Sequence, residues 1–253
     1  MKKKSKNNPS FDYYTLSTTW VPNMCCDTKK RSKEKCNLQG NNFSTHGLWP
    51  SFESSSYPSY CLNEVADKVD EKKLNGRQRH QWHKHGTCTN LPMSTYFNEE
   101  ERISSNKCFN DLNRHVKAIV ATSDLIRMNK NKNIIPTLKI SVIQQIFGGR
   151  SNVAIKTNHR CILEEITTCW AKAKVIVESN SNGQQDIEER VGKQIPCPIN
   201  LLKSARNSAS KFGCSSVVLD RLNEDTNDNS KGIDNSAKCT LVSNAFLKEL
   251  QKR

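Results

Sequence analysis

A chain of 253 residues is long enough to bury its own core, and one large domain with appended segments is expected rather than two. No run approaches the roughly 18 to 20 apolar residues that a membrane-spanning helix needs, so such a helix is excluded. The 39 Lys and Arg against 25 Asp and Glu give a formal charge of +14. That charge suits a polyanionic partner such as nucleic acid or an anionic surface, although it equally fits a solvated basic face. The 11 cysteines are spread along the chain rather than paired as Cys-x-x-Cys knuckles. This argues against zinc ribbons and for disulfides formed in an oxidising compartment, with the odd count leaving at least one thiol over.

In chain order, MKKKSKNNPS is a basic start with no apolar stretch behind it. A secretion signal is therefore not visible, while the cysteines still predict a secreted, extracellular or vacuolar and endomembrane-lumen location. Residues 1–10 are expected to lie outside the folded domain. Residues 11–20, FDYYTLSTTW, alternate aromatic or β-branched with polar side chains and predict a strand. A cysteine-bearing basic loop is expected over 21–42, and a helix over 64–74. From Lys107 to Met128, Phe109, Leu112, Val116, Ile119, Val120 and Leu125 recur at intervals of three and four and predict an amphipathic helix. A shorter helix is expected from Leu138 to Phe147, stopped by Gly148-Gly149. Strands are expected over 152–156 and 168–178, and the mixture with long helices predicts an α+β domain over 11–222. The polar stretch 223–238 is expected to be a linker and 239–253 a basic amphipathic extension.

The histidines carry the chemical argument. His115 lies on the long predicted helix and His159 in a turn-like TNHRC stretch, and a structural role is expected for both. The other four fall in two short segments, FSTHGLWPS over 43–51 and RHQWHKHGTC over 79–88. If the second is helical, His80, Gln81, Lys84 and His85 fall within an arc of about 140°, with His83 on the opposite side. Two imidazoles, an amide and an ammonium on one face match a phosphodiester. A helix cannot bring His80, His83 and His85 to one metal ion, no His-Glu-x-x-His pattern is present and no acidic ligand is adjacent, so no metal and no cofactor is expected.

Transesterification of RNA uses such a face. One imidazole takes the proton of a ribose 2′-hydroxyl, that oxygen attacks the neighbouring phosphorus, and a second imidazole protonates the leaving 5′-oxygen. A cation such as Lys84 and donors such as His80 and Gln81 would meet the charge that builds on the phosphoryl oxygens. With the nucleophile inside the substrate no metal is required, and DNA would be inert.

FSTHGLWPS and HQWHKHGTC, two motifs in the right order, resemble the active-site segments of the ribonuclease T2 family, which includes the self-incompatibility S-ribonucleases. TTWVPNMCCDT, SSYPSYC and the order Cys161, Cys169, Cys197-Pro198, Gly213-Cys214 are similar to further plant-type segments, so the resemblance extends roughly over 11–220. It implies a central antiparallel sheet flanked by helices. It implies His46 and His85 as acid and base, with His85 the base of the first step, Lys84 as the stabiliser of the charged phosphorane and His80 as a phosphate-holding histidine. Trp49 then packs against the nucleotide, as aromatic faces do for unstacked bases. The same framework implies the bridges Cys61–Cys88, Cys161–Cys214, Cys169–Cys197 and Cys26–Cys36, leaving Cys25, Cys108 and Cys239. Its substrate would be single-stranded RNA, with no membrane and no obligate protein partner.

The chain departs from that pattern in four places. Gln81 stands where the family usually has glutamate, which predicts reduced rather than absent activity, since an amide still offers donors to a phosphoryl oxygen. The stretch between Cys61 and His80 is short, Gln78-Arg79 replaces an expected aromatic, and the chain runs on past the usual end. Three readings follow: an active endoribonuclease, a weakly active or inactive relative serving as a basic RNA-binding, storage or defence protein, and an S-ribonuclease cytotoxin.

Overall fold

The computed structural model describes residues 10–22, 42–54, 56–61, 74–130, 135–179, 185–204 and 207–219. The predicted 64–74 helix, the 21–42 loop with Cys26–Cys36, the leader, the linker and the extension fall wholly or largely outside these residues. Strand β1 (Tyr13–Trp20) is the predicted first strand, and β2 (Phe43–Ser51) is the first histidine motif. Helix α1 (Gly76–Lys84) carries most of the second. Helices α2 (Met93–Ser104) and α3 (Lys107–Lys130) follow, then β3 (Thr137–Lys139), α4 (Ile140–Ile146), β4 (Val153–Thr157), β5 (Leu163–Ser179) and β6 (Gln185–Ile195). Two short helices, α5 (Ile199–Lys203) and α6 (Ser208–Lys211), precede β7 (Ser216–Val218).

The five-stranded antiparallel sheet has the order β2-β1-β5-β4, with β6 also pairing β5. β5 is long enough to take β4 along its first half, Leu163 to Thr168, and β6 from Cys169 onward. One face packs on the helices through Trp20, Trp82, Tyr96, Ile103, Phe109, Leu112 and Phe147, all at most 2 % exposed. A smaller cluster of Tyr13, Ala154, Cys169, Cys197 and Leu201 seals another part of the sheet beneath α5. The fold is therefore the expected α+β arrangement, a central antiparallel sheet with flanking helices and disulfides.

Two expectations need correction. Leu138 lies within a strand rather than opening a helix, because β3 pairs with β7 (Leu138 opposite Val217) and the helix starts only at Ile140. His85 does not lie in the second-motif helix. That helix ends at Lys84, and His85 is its C-terminal cap, with φ −123° and ψ −48°.

Helix α1 begins where its sequence provides a capping box. The Asn75 side chain accepts from the Gln78 amide, and the Gln78 side chain accepts from the Asn75 amide. Gln78, which replaces an expected aromatic, thus fixes the start of the helix. Trp82, fully buried against Tyr96, pins its core face. Just past the helix end, Gly86 lets the backbone close on the Trp82 ring, where a β-carbon would lie 2.2 Å away.

Three of the four implied bridges, Cys61–Cys88, Cys161–Cys214 and Cys169–Cys197, are formed, and Cys108 is a free thiol. Cys61–Cys88 ties the end of the second motif to the loop after the first, where the Tyr60 amide also donates to the Lys84 carbonyl. Replacing both Cys61 and Cys88 by serine, across a sequence separation of 27, is expected to cost about 3 to 4 kcal/mol on the loop-entropy account. Denaturant melts of the two proteins measure it, and a loss under about 1 kcal/mol would refute it.

Candidate active site

The first motif reaches the site through an irregularity in β2. Ser17 pairs with Gly47 but Thr18 pairs with Thr45, so His46 is an extra residue outside the ladder, a β-bulge that re-aims its side chain. The imidazole is half exposed, and its Nδ1 lies 3.0 Å from Glu165 Oε2, on β5. The second Glu165 oxygen accepts from the Thr167 hydroxyl at 3.3 Å. Burial pushes the Glu165 carboxyl up, but the bonds from His46 and Ser17 and the nearby charges of His46 and Lys156 outweigh it and hold the group below the usual carboxylate range.

The backbone at His46 is held from the other side. Arg77 on α1 donates to the Thr45 carbonyl at 2.8 Å and to Glu100 Oε1 at 3.0 Å. Glu100, on α2, is only 4 % exposed, and burial raises its carboxyl above the ordinary value despite the opposing charges of Arg77 and His46. The Tyr96 hydroxyl, also from α2, donates to the Leu48 carbonyl. These contacts join β2 to both helices that follow it.

Trp49 is the centre of the arrangement. Its indole N–H donates to Gln81 Oε1 at 2.8 Å, and both side chains are buried. Its ring meets His46 edge-on at a centroid distance of 5.0 Å and His85 at 5.2 Å with a 32° tilt. His85 is 3 % exposed and also packs on Tyr57, at 5.2 Å. Lys84 places Nζ 5.6 Å from the Tyr57 ring centroid, within cation–π range. Gly47 makes the seam possible, since a β-carbon there would lie 2.2 Å from Gln81 Oε1 and 2.5 Å from Trp49 Nε1.

The structure thus gathers His46, Trp49, Gln81, Lys84 and His85. His80 is on the same helix but exposed, and no contact joins it to the cluster. His115 sits on α3 with Nδ1 2.9 Å from the Asp111 carbonyl, and His159 is exposed in the β4–β5 turn. Among the described residues, no group of three or more His, Cys, Asp or Glu side chains could hold a metal ion, and no helix is long and apolar enough to cross a membrane. Sequence reasoning missed Glu165, Arg77, Glu100 and Tyr57. Only Tyr57 had a usable signal, an aromatic six residues past the first motif. The other three are distant in sequence and meet His46 through strand pairing and helix docking.

The α+β scaffold thus brings one half-exposed and one buried imidazole against the same indole, with the Lys84 ammonium near Tyr57. Comparison with known proteins finds similarity over part of the chain. Residues 11–77 match the model of the Ribonuclease T2 family. A ribonuclease of Aeromonas hydrophila is 38 % identical over 87 residues, covering 32 % of this chain and 39 % of that protein. Ribonuclease S-2 of Pyrus pyrifolia is 24 % identical over 187 residues, covering 65 % of this chain and 79 % of the relative. Among solved structures, the RNase-related protein from Calystegia sepium aligns over 83 % of this chain and 98 % of its own, with 17 % identity and a TM-score of 0.46. The matched segment, residues 11–77, is thus similar to the Ribonuclease T2 family, in line with the resemblance read from the two motifs. The chain's match spans 39 % of the Aeromonas hydrophila relative and 38 % of a Caenorhabditis elegans one.

Proposed function

We propose that this protein is an endoribonuclease that cuts single-stranded RNA by attack of the 2′-hydroxyl, through a 2′,3′-cyclic phosphate to 3′-phosphate ends, without a metal. The observation that carries the reading is the convergence of His46 and His85 on Trp49, from two separate motifs, 43–51 and 79–88. His85, shielded from water, takes the 2′-hydroxyl proton as the base. His46, with its Nδ1 engaged by Glu165, has Nε2 left to protonate the departing 5′-oxygen. Lys84 meets the charge building on the phosphoryl oxygens, and His80, exposed one turn earlier on α1, holds a phosphate. Tyr57, 37 % exposed, offers aromatic surface to a base, and the buried Trp49 backs both imidazoles. The net charge of +14 favours encounter with the polyanion. The disulfides fit an oxidising lumen or the cell exterior.

The test is cleavage of a defined oligoribonucleotide in excess EDTA. Full activity with cyclic-phosphate intermediates, and none on the all-deoxy strand, is the expected result. Activity abolished by EDTA, or cleavage of DNA, would refute the mechanism.

The second reading, a weakly active relative, turns on Gln81. Its oxygen is committed to the Trp49 indole, so the side chain serves first to position Trp49. A carboxylate can accept the same bond, but it would be a charge in a position only 3 % exposed. We therefore expect Gln81→Glu to change the RNA cleavage rate by less than about tenfold. A larger gain would mean that the natural site is crippled.

A further inference from the structure

The mechanism above uses the Nε2 side of His46 and leaves its Nδ1 partner unexplained. Glu165 stands on β5, the strand beyond β1 from the one that carries His46, so it crosses one full strand to reach the ring. Each carboxylate oxygen has its own partner, Oε2 the imidazole Nδ1 at 3.0 Å and Oε1 the Thr167 hydroxyl at 3.3 Å. A carboxylate 11 % exposed in the middle of a sheet is costly unless it is held this way. The bulge frees the His46 ring from the ladder and by itself would leave it free to turn. The carboxylate supplies the missing constraint.

We propose that Glu165 is a positioning residue for His46. It accepts a hydrogen bond from Nδ1–H, so the imidazole is fixed in the tautomer that presents Nε2 to the substrate. This rests on the endoribonuclease reading for its catalytic consequence, but not for the tautomer. Other charged groups face the same ring. Glu100 from α2 acts on it through charge, Arg77 from α1 binds the backbone at Thr45 and His46, Lys156 from β4 sits by Glu165, and His85 lies across Trp49. Of these, only Glu165 touches the ring nitrogen with a carboxylate.

The two properties separate in two variants. Glu165→Gln keeps an acceptor for Nδ1–H and loses the charge. Glu165→Leu loses both at similar volume. In ¹⁵N-histidine spectra of the full chain, with His46→Ala used to assign the resonance, the neutral His46 of the unaltered protein is expected as the Nδ1–H tautomer. Glu165→Gln keeps that tautomer and Glu165→Leu moves it toward Nε2–H. On an oligoribonucleotide, Glu165→Leu lowers kcat about tenfold to a hundredfold with KM within about twofold, the loss usual when the partner orienting a functional histidine is removed. Glu165→Gln, which keeps the acceptor for Nδ1–H, loses less. An unchanged tautomer in Glu165→Leu, or a rise in KM with kcat preserved, would overturn the proposal. Should the unaltered protein fail to cut RNA, the functional reading falls, and the spectra still decide the role of Glu165.

Discussion

His46→Ala and His85→Ala are each expected to lower RNA cleavage by about a thousandfold, yet to differ in what they do to the fold. General acid or base groups contribute roughly 10² to 10⁴ in rate, so either loss should remove most of the activity. His46 is half exposed on a bulge, and its ring packs only against the edge of Trp49. Its removal should leave the melting temperature within a few degrees of the original. His85 is buried between Trp49 and Tyr57, so truncation leaves a gap and should cost about 2 kcal/mol as well. Parallel measurement of cleavage rate and thermal melting checks both parts. Retention of more than a tenth of the activity by either variant would remove that histidine from the mechanism.

Gly47→Ala is expected to injure stability and activity together. The added carbon would come within 2.2 Å of Gln81 Oε1 and 2.5 Å of Trp49 Nε1, and both neighbours are buried with a hydrogen bond between them. One of them must move, the bond must break, and β2 and α1 must separate slightly. Overpacking costs about 1 to 3 kcal/mol, and the broken bond roughly 1 kcal/mol more. The same shift moves His46 relative to His85, and a misplacement near 1 Å can cost about a hundredfold in rate. An alanine variant with wild-type melting and rate would mean that the seam tolerates a methyl group and that the close approach has no functional weight.

Much of this architecture can be read from the residues, and the remainder is hidden for identifiable reasons. The alternation of YYTLSTTW declares β1, and the three-and-four spacing of Phe109, Leu112, Val116 and Val120 declares α3. Both signals are local. α2 was missed although Tyr96 and Ile103 are fully buried, because its MSTYFNEEERIS sequence puts buried Glu99 and Glu100 among the apolar positions and blurs the stripe. β6 is held chiefly by pairing with β5, which no local pattern reveals. Leu138 was misassigned for the same reason, since its conformation is set by Val217, far along the chain.

The site divides along the same line. His46, Trp49, Gln81, Lys84 and His85 stand in two compact motifs, and their gathering could be anticipated. The wheel argument places His85 on the helix face, whereas the helix closes one residue earlier and the ring is presented by a cap. Gln81 is expected as a donor for phosphate, and the structure adds a contact the motif does not announce, the bond its oxygen accepts from the Trp49 indole. Glu165 could not be anticipated, because nothing in the stretch LEEITTCW separates it from the neighbouring Glu164 or points to the histidine two strands away.

The bulge at His46 has a consequence for how this site can be kept or lost. On either side of that residue β2 is fully paired with β1, Gly47 with Ser17 and Thr45 with Thr18. A chain shortened by that one residue would close the gap and make a more regular ladder, with every remaining side chain still on its proper face. The histidine is thus an insertion that strand pairing alone would never retain. A lineage selected only for a stable basic fold could discard this imidazole in a single deletion, while the sheet, the cystines and the helices stayed as they are.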